Sequence, residues 1–273
     1  MTAEVMAPPV APEAVAGGKV VVVYSAKGGV GTTTIAVNVA AAMHARGQRV
    51  CLVDLDLGCG DVAVELRLEP RNTIMDVLAD DSVEADAEPI DALRTTVLPG
   101  FHCILAPAQS TAAEDLPGEV VADLIPYLRS LYDVVVIDTP SAMNVHVRTA
   151  FEAADFLLLV STPDVASLRG LTIGLDQSVA LRAPRPLVVL NQVERGEGMP
   201  TDEIAAGLEV EIAARIARDP LVIRSGNRGE AIVKANPSAP FSADIERLVD
   251  RWTVRRQPPV KTRPLHRRKG FKL

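Results

Sequence analysis

Residues 19–34, KVVVVYSAKGGVGTTT, bring together the side-chain types needed to hold a phosphate chain. Lys27 supplies a cation. Gly28, Gly29 and Gly31, with Val30 between them, supply a loop whose backbone N–H groups can close around an anion. Thr32, Thr33 and Thr34 place hydroxyls at the start of a helix, whose dipole adds to the attraction. Further chemistry stands elsewhere in the chain. Asp54 and Asp56 lie two residues apart, Asp138 ends the apolar run YDVVVID, and Asn191 ends LVVLN. A carboxylate at a strand end can hold Mg²⁺ opposite bound phosphates, usually through water. A carboxamide both donates and accepts, which suits it to the edge of a base.

Strands must position these groups. The four consecutive valines from Val20 to Val23 read as a strand buried on both faces of a parallel sheet. The helix opened by the threonines carries Ile35, Val39, Ala42 and Met43 at helical spacing and ends near Arg46 and Gly47. Residues 49–54, 101–106, 132–138, 156–161, 187–191 and 210–216 read as further strands. Helices are expected over 73–78, 116–131, 145–154, 165–181 and 241–252. Residues 76–91 carry seven acids and no base, which suits a solvated loop or an exposed helix. This alternation predicts an α/β fold, a doubly wound, mostly parallel sheet with helices on both faces and the ligand at the carboxyl ends of the strands. Lys27, Asp54, Asp56, Asp138, Ser161 and Asn191 all fall at such ends.

The ordinary P-loop reads GxxxxGK[ST]. Here Ala26 stands where its first glycine belongs and Thr32 where its lysine belongs, while a lysine appears early, at Lys27. Thr33 occupies the [ST] position, so its hydroxyl is the expected direct Mg²⁺ ligand, with Thr34 turned to an inner phosphate. Asp138 fits a Walker B aspartate on the same metal.

The early lysine before GGVG resembles the deviant Walker A loop of the ParA/MinD superfamily of ATPases. That resemblance implies ATP and Mg²⁺ as cofactors, a homodimer, and exchange of ATP for ADP. It also implies roles for single residues. Lys27 reaches across a face-to-face dimer to the partner's nucleotide. Asp56, 29 residues after Lys27, orients the attacking water, with Asp54 supporting the metal site behind it. Asn191 reads adenine. Thr32 breaks the pattern: without a cation beside the β- and γ-phosphates, hydrolysis is expected to be slow or absent. Residues 55–78, LDLGCGDVAVELRLEPRNTIMDVL, further resemble the CpaE/TadZ group, which serves assembly of tight-adherence pili. The receiver-like domain usual in that group is expected to be missing, since about 18 residues precede the first strand.

Composition bounds the remainder. The 273 residues are expected to divide into a disordered leader (1–17), a nucleotide-binding domain (18–254) and a basic flexible tail (255–273). The leader has neither a basic start nor a long apolar stretch, so it does not read as a signal peptide. No run of about 18 apolar residues exists. Cys51, Cys59 and Cys103 show no disulfide or metal spacing, which fits a reducing cytoplasm. Nine Lys and Arg but no acid lie from Arg251 onward; the rest of the chain carries 19 basic residues against all 35 acids. An acidic body with only 3% aromatic residues argues against DNA as partner and against the ParA-type DNA-partitioning alternative. Pro258, Pro259 and Pro264 forbid a continuous amphipathic helix in the tail; as a flexible polybasic arm it suits peripheral contact with anionic lipid at the inner face of the membrane, and equally DNA phosphates, an acidic partner or a solubilising role. The reading favoured by sequence is therefore a cytoplasmic ATP-dependent dimerising switch that recruits pilus-assembly or positioning proteins. A ParA-type DNA-partitioning or MinD-type cell-division positioning ATPase is the alternative.

Overall fold

Strand β1 (Lys19–Tyr24) is buried along Val20–Tyr24, and its valines divide between two cores. Val21 and Val23 join the cluster on one face of the sheet, Val20 and Val22 the cluster on the other, as the period of two along a strand requires. The computed structural model describes residues 17–79, 91–107 and 116–253. The expected leader as far as residue 16, the acid-rich stretch 80–90 and the tail from residue 254 lie outside the described residues.

Around β1 stand β2 (Val50–Asp54), β3 (Arg94–Leu98), β4 (Phe101–Ile104), β5 (Val134–Asp138), β6 (Phe156–Ser161), β7 (Leu187–Val193) and β8 (Ile212–Ala217). Their order is β3-β4-β2-β5-β1-β6-β7-β8. Every described pairing is parallel except β3 with β4. The chain builds first on one side of β1 and then crosses to the other, so the loop leaving β1 sits at a topological switch point, where such sheets bind ligands. Register places Asp138 beside Val23 and also beside Asp54, so two carboxylates end neighbouring strands at one height.

One face of the sheet is covered by α1 (Thr32–Ala45), α8 (Ile232–Ala235) and α9 (Pro240–Thr253). The other carries α3 (Gly118–Leu131), α4 (Val145–Ala153) and α5 (Val165–Ala180). Helix α1 is buried from Ile35 through Met43, Asn38 included. Burial of that amide is tolerable because Nδ2 donates to the Thr34 carbonyl at 2.8 Å and Oδ1 accepts the Val233 N–H at 3.2 Å. The far end of α1 is tied to α9 through Arg46, which contacts Glu246 at 2.7 Å and Asp250 at 2.6 Å.

The architecture matches the expected doubly wound sheet. Five elements were not anticipated: the antiparallel edge strand β3, and the short helices α2 (Val62–Glu65), α6 (Thr201–Leu208), α7 (Pro220–Gly226) and α8. β3 is half exposed, so it lacks the apolar run of a buried strand. Helix α7 starts where Asp219 accepts the Leu221 N–H at 2.9 Å, with Pro220 as its first residue. The expected helix 73–78 is a 3₁₀ turn, Ile74–Ala79. No helix among the described residues is long and apolar enough to cross a membrane.

Candidate functional site

The loop leaving β1 is held open by two left-handed glycines and one buried anchor. Gly29 has φ 79° and Gly31 φ 93°, conformations a side chain would strain. A Cβ on Gly31 would also stand 2.4 Å from Asn191 Nδ2. Val30 is buried between them, and its carbonyl accepts from Asn191 Nδ2 at 2.8 Å. Gly31 precedes α1 and gives it no side-chain cap. The first N–H groups of α1 therefore have no side-chain partner at the loop, the arrangement that receives an anion.

This loop floors an open cleft of about 890 Å³, a size suited to a drug-sized or nucleotide-sized ligand. Lys27, Gly28, Gly29, Gly31, Thr32, Thr33, Thr34, Asp56 and Asn191 all line it, so most of the residues singled out in sequence meet in one place. A second groove, about 330 Å³, lies between α5 and α6 and is walled mainly by Leu168, Ile173, Met199, Ile204 and Leu208. It lacks a glycine loop and is not a phosphate site.

Three aspartates behind the loop differ in what they can do. Asp138 is buried; Thr33 hydrogen-bonds to its carboxyl, and its Oδ1 has no partner. Burial, then the neighbouring Asp54 charge, pushes this carboxyl well above the ordinary range. An orphaned buried carboxylate oxygen beside a threonine hydroxyl fits a divalent cation. Asp54 is tied to backbone on both sides of its carboxyl. Its Oδ1 accepts the Asp56 N–H at 3.0 Å and its Oδ2 the Val62 N–H at 3.2 Å. Each oxygen accepts one backbone N–H, so Asp54 holds the loop that carries Asp56, at the same height as Asp138 on the neighbouring strand. Burial raises its pKa, against those two hydrogen bonds. Gly60 lets the loop close on it, since a Cβ there would lie 3.0 Å from Asp54 Oδ2. Asp56, half-buried, faces the cleft; burial raises its carboxyl, while N–H groups of Cys59 and Gly58 lower it. Among the described residues no group of three His, Cys, Asp or Glu side chains is disposed to hold a metal ion, so a cation here would depend on the threonine and on phosphate oxygens.

Lys27 turns toward its own chain. Nζ lies 2.8 Å from Ser167 Oγ and 3.3 Å from Asp164 Oδ1. Asp164 caps α5 by accepting the Ser167 N–H at 3.0 Å. Although burial opposes it, hydrogen bonds from Ser167 and Thr162, with Lys27 adding to them, hold the Asp164 carboxyl below the usual range. Gly170 makes room, because a Cβ there would stand 3.2 Å from the Lys27 Cβ. Asn191 likewise is only partly free for a base: one of its two amide N–H donors is engaged with Val30, leaving the other and Oδ1.

Sequence reasoning missed Glu65, Gln192 and Arg218 on the cleft wall, and the Asp164–Ser167 seat of Lys27. The last had a signal in the sequence, an aspartate directly before a helical run. Glu65 had none, since an acid in a short helix reads as a solvent-facing residue.

A family model described as "AAA domain" matches residues 18–180. The septum site-determining protein MinD of Bacillus subtilis is 31% identical over 224 residues, covering 79% of this chain and 82% of the relative. Among solved structures, the septum site-determining protein MinD of Pyrococcus horikoshii, complexed with Mg-ADP, aligns with a TM-score of 0.76 at 23% identity, over 87% of this chain and 96% of that one. A ParA family ATPase from Chlorobium tepidum aligns with a TM-score of 0.77 at 27% identity, over 85% and 98% of the two chains. None of these three carries a pilus-assembly name.

Proposed function

The chain belongs to the ParA/MinD superfamily, the AAA-domain family whose model spans residues 18–180, and on that premise we propose that it is a nucleotide switch. It takes up ATP with Mg²⁺ in the cleft beside β1, pairs face to face with a second copy, and parts from it when the nucleotide is lost or hydrolysed. The observation that carries this reading is the glycine cradle running into the uncapped start of α1. Gly28, Gly29, Val30, Gly31 and Thr32 offer backbone N–H groups to the phosphates, and Thr34 meets the inner phosphate. The Thr33 hydroxyl would hold Mg²⁺ directly and Asp138 through water. The ion supplies charge neutralisation along the phosphate chain. Asp56 orients water, and the Asn191 amide meets the base. Lys27 leaves Asp164 for the partner's nucleotide. Thr32 brings no charge to the transition state, which makes turnover slow.

Exposed Val64, Val145, Val165 and Ile223 each follow a strand's carboxyl end. They support a partner surface on the cleft side. The septum-site names of the relatives favour a role in positioning cell-division machinery over the pilus-assembly role. The latter remains a second reading, supported by KGGVGTTT and residues 55–78. On either reading the protein acts in the cytoplasm, and the basic tail contacts anionic lipid at the inner membrane face.

Light scattering of the full chain with and without Mg-ATP tests the switch. A nucleotide-dependent doubling of mass supports it; a dimer of equal extent without nucleotide contradicts it. Sedimentation with anionic vesicles adds the tail: a chain ending at Thr253 should dimerise yet no longer pellet with vesicles.

A further inference from the structure

Glu65, the last residue of α2 (Val62–Glu65), reaches into the cleft. Its Oε2 lies 3.1 Å from Thr34 Oγ1, and its stem rests on α7, where a Cβ on Gly226 would stand 3.9 Å from Glu65 Cγ. Thr34 is in the first turn of α1, where a bound phosphate would draw on the same hydroxyl. A hydroxyl has one proton to donate. When Glu65 is ionised, it takes that proton and places a second negative charge beside the phosphate. When Glu65 is protonated the pair reverses: the carboxyl O–H donates to Thr34 Oγ1, and the Thr34 proton is free for phosphate.

The surroundings do not offset the charge. Asp61 stands on the same segment, Asp54 ends β2 with Asp56 just beyond it, Asp138 ends β5, and Asp219 caps α7 across the cleft. Helix α7 presents Gly226 at its end and Asn227 follows it, both uncharged. Arg67, two residues on, lies along Gly229. The two cations lining the cleft are already paired, Lys27 with Asp164 and Arg218 with Glu194, and Thr32 occupies the usual lysine position. Burial pushes the Glu65 carboxyl up to about 7, with the Thr34 hydrogen bond opposing and the Asp61 charge adding.

We propose that Glu65 is a positioning residue for the innermost phosphate, acting through the Thr34 hydroxyl, and that nucleotide enters the cleft together with one proton from solvent that Glu65 retains until the nucleotide leaves. This rests on the nucleotide reading above and adds a proton linkage to it.

Calorimetric titration of the full chain with Mg-ADP tests it, run over about pH 7.5–9, where a phosphate with second pKa of about 6 no longer titrates. Two buffers of different protonation enthalpy give the proton count, for wild type and Glu65→Gln. Wild type should take up close to one proton more per nucleotide than Glu65→Gln, and its affinity should fall about tenfold more per pH unit. At the alkaline end the variant should bind at least tenfold tighter, an effect that loss of a purely structural contact would not produce. Glu65→Leu, of similar volume, carries the same expectation and stands in if the amide variant does not melt cooperatively. Equal proton counts and equal pH slopes in wild type and variant overturn the proposal and leave the nucleotide reading standing. Absence of Mg-ADP uptake by every protein at every pH overturns both.

Discussion

On the proposed reading, the hydroxyl at residue 32 limits how fast this site can work. The glycine loop runs into an uncapped helix start, yet the position that ordinarily bears a cation carries Thr32. Losing one preorganised donor to a transition state costs about 10²–10³ in kcat. Thr32→Lys should therefore raise phosphate release by about two orders of magnitude over a slow wild type. Equal rates would show that another cation already does this work. Asp54 makes a second case. Its two oxygens each accept a buried N–H, and an orphaned buried donor costs about 1–3 kcal/mol. Asp54→Ala should lower the melting temperature by roughly 5–10 °C, at about 2–4 °C per kcal/mol for a chain of this size. A change within about a degree would place both N–H groups in contact with water. The contrast between these residues shows what residue types disclose. Glycines and threonines in a row announce phosphate, because few other tasks need that backbone. An aspartate two residues from another announces only charge; whether Asp54 holds a metal or a loop depends on burial, which the chain's order does not record.

At the scale of elements, the unit that matters is β1, its loop and α1. It was legible because both ends of the signal are strong, a valine run buried on two faces and a helix rich in small apolar residues. The edge strand β3 was not legible, since a half-exposed RTTVL has no buried face to betray it. Helices of four to eight residues such as α6, α7 and α8 are too short for a period of 3.6 to repeat. Helix α5 contributes the seat of Lys27, and this gives a further expectation. The Lys27–Asp164 pair is half exposed, so it adds little to stability, about 0–1 kcal/mol. Lys27→Ala should leave the melting temperature nearly unchanged while abolishing the Mg-ATP-dependent rise in mass seen by light scattering. A variant that still dimerises with Mg-ATP would confine Lys27 to its own chain.

For the molecule as a whole, the concentration of acids at one end of the sheet couples stability to pH. Burial raises the carboxyl of Glu65 to about 7, and those of Asp54 and Asp138 also rise. A raised carboxyl means that the folded chain binds more protons than the unfolded one. Stability is then greatest on the acid side and declines as pH climbs toward and through 7. For Glu65, partly open to solvent, the loss is on the order of 2 kcal/mol. The nucleotide-free protein should melt several degrees lower at pH 8 than at pH 5, and Glu65→Gln should recover part of that difference. A melting temperature that rises over this interval would mean these carboxyls are ionised at ordinary pH. Mg²⁺ with nucleotide should narrow the gap by offsetting the same charges.

All of this depends on the glycine cradle gripping a nucleotide's phosphates, and calorimetric titration of Mg-ATP into wild type and Gly31→Ala measures that grip directly. The account predicts saturable uptake of one nucleotide per chain by the wild type. It also predicts loss of uptake in Gly31→Ala, where the new Cβ meets Asn191 at a φ of 93°. No uptake by the wild type at millimolar Mg-ATP, or equal uptake by both proteins, would contradict it.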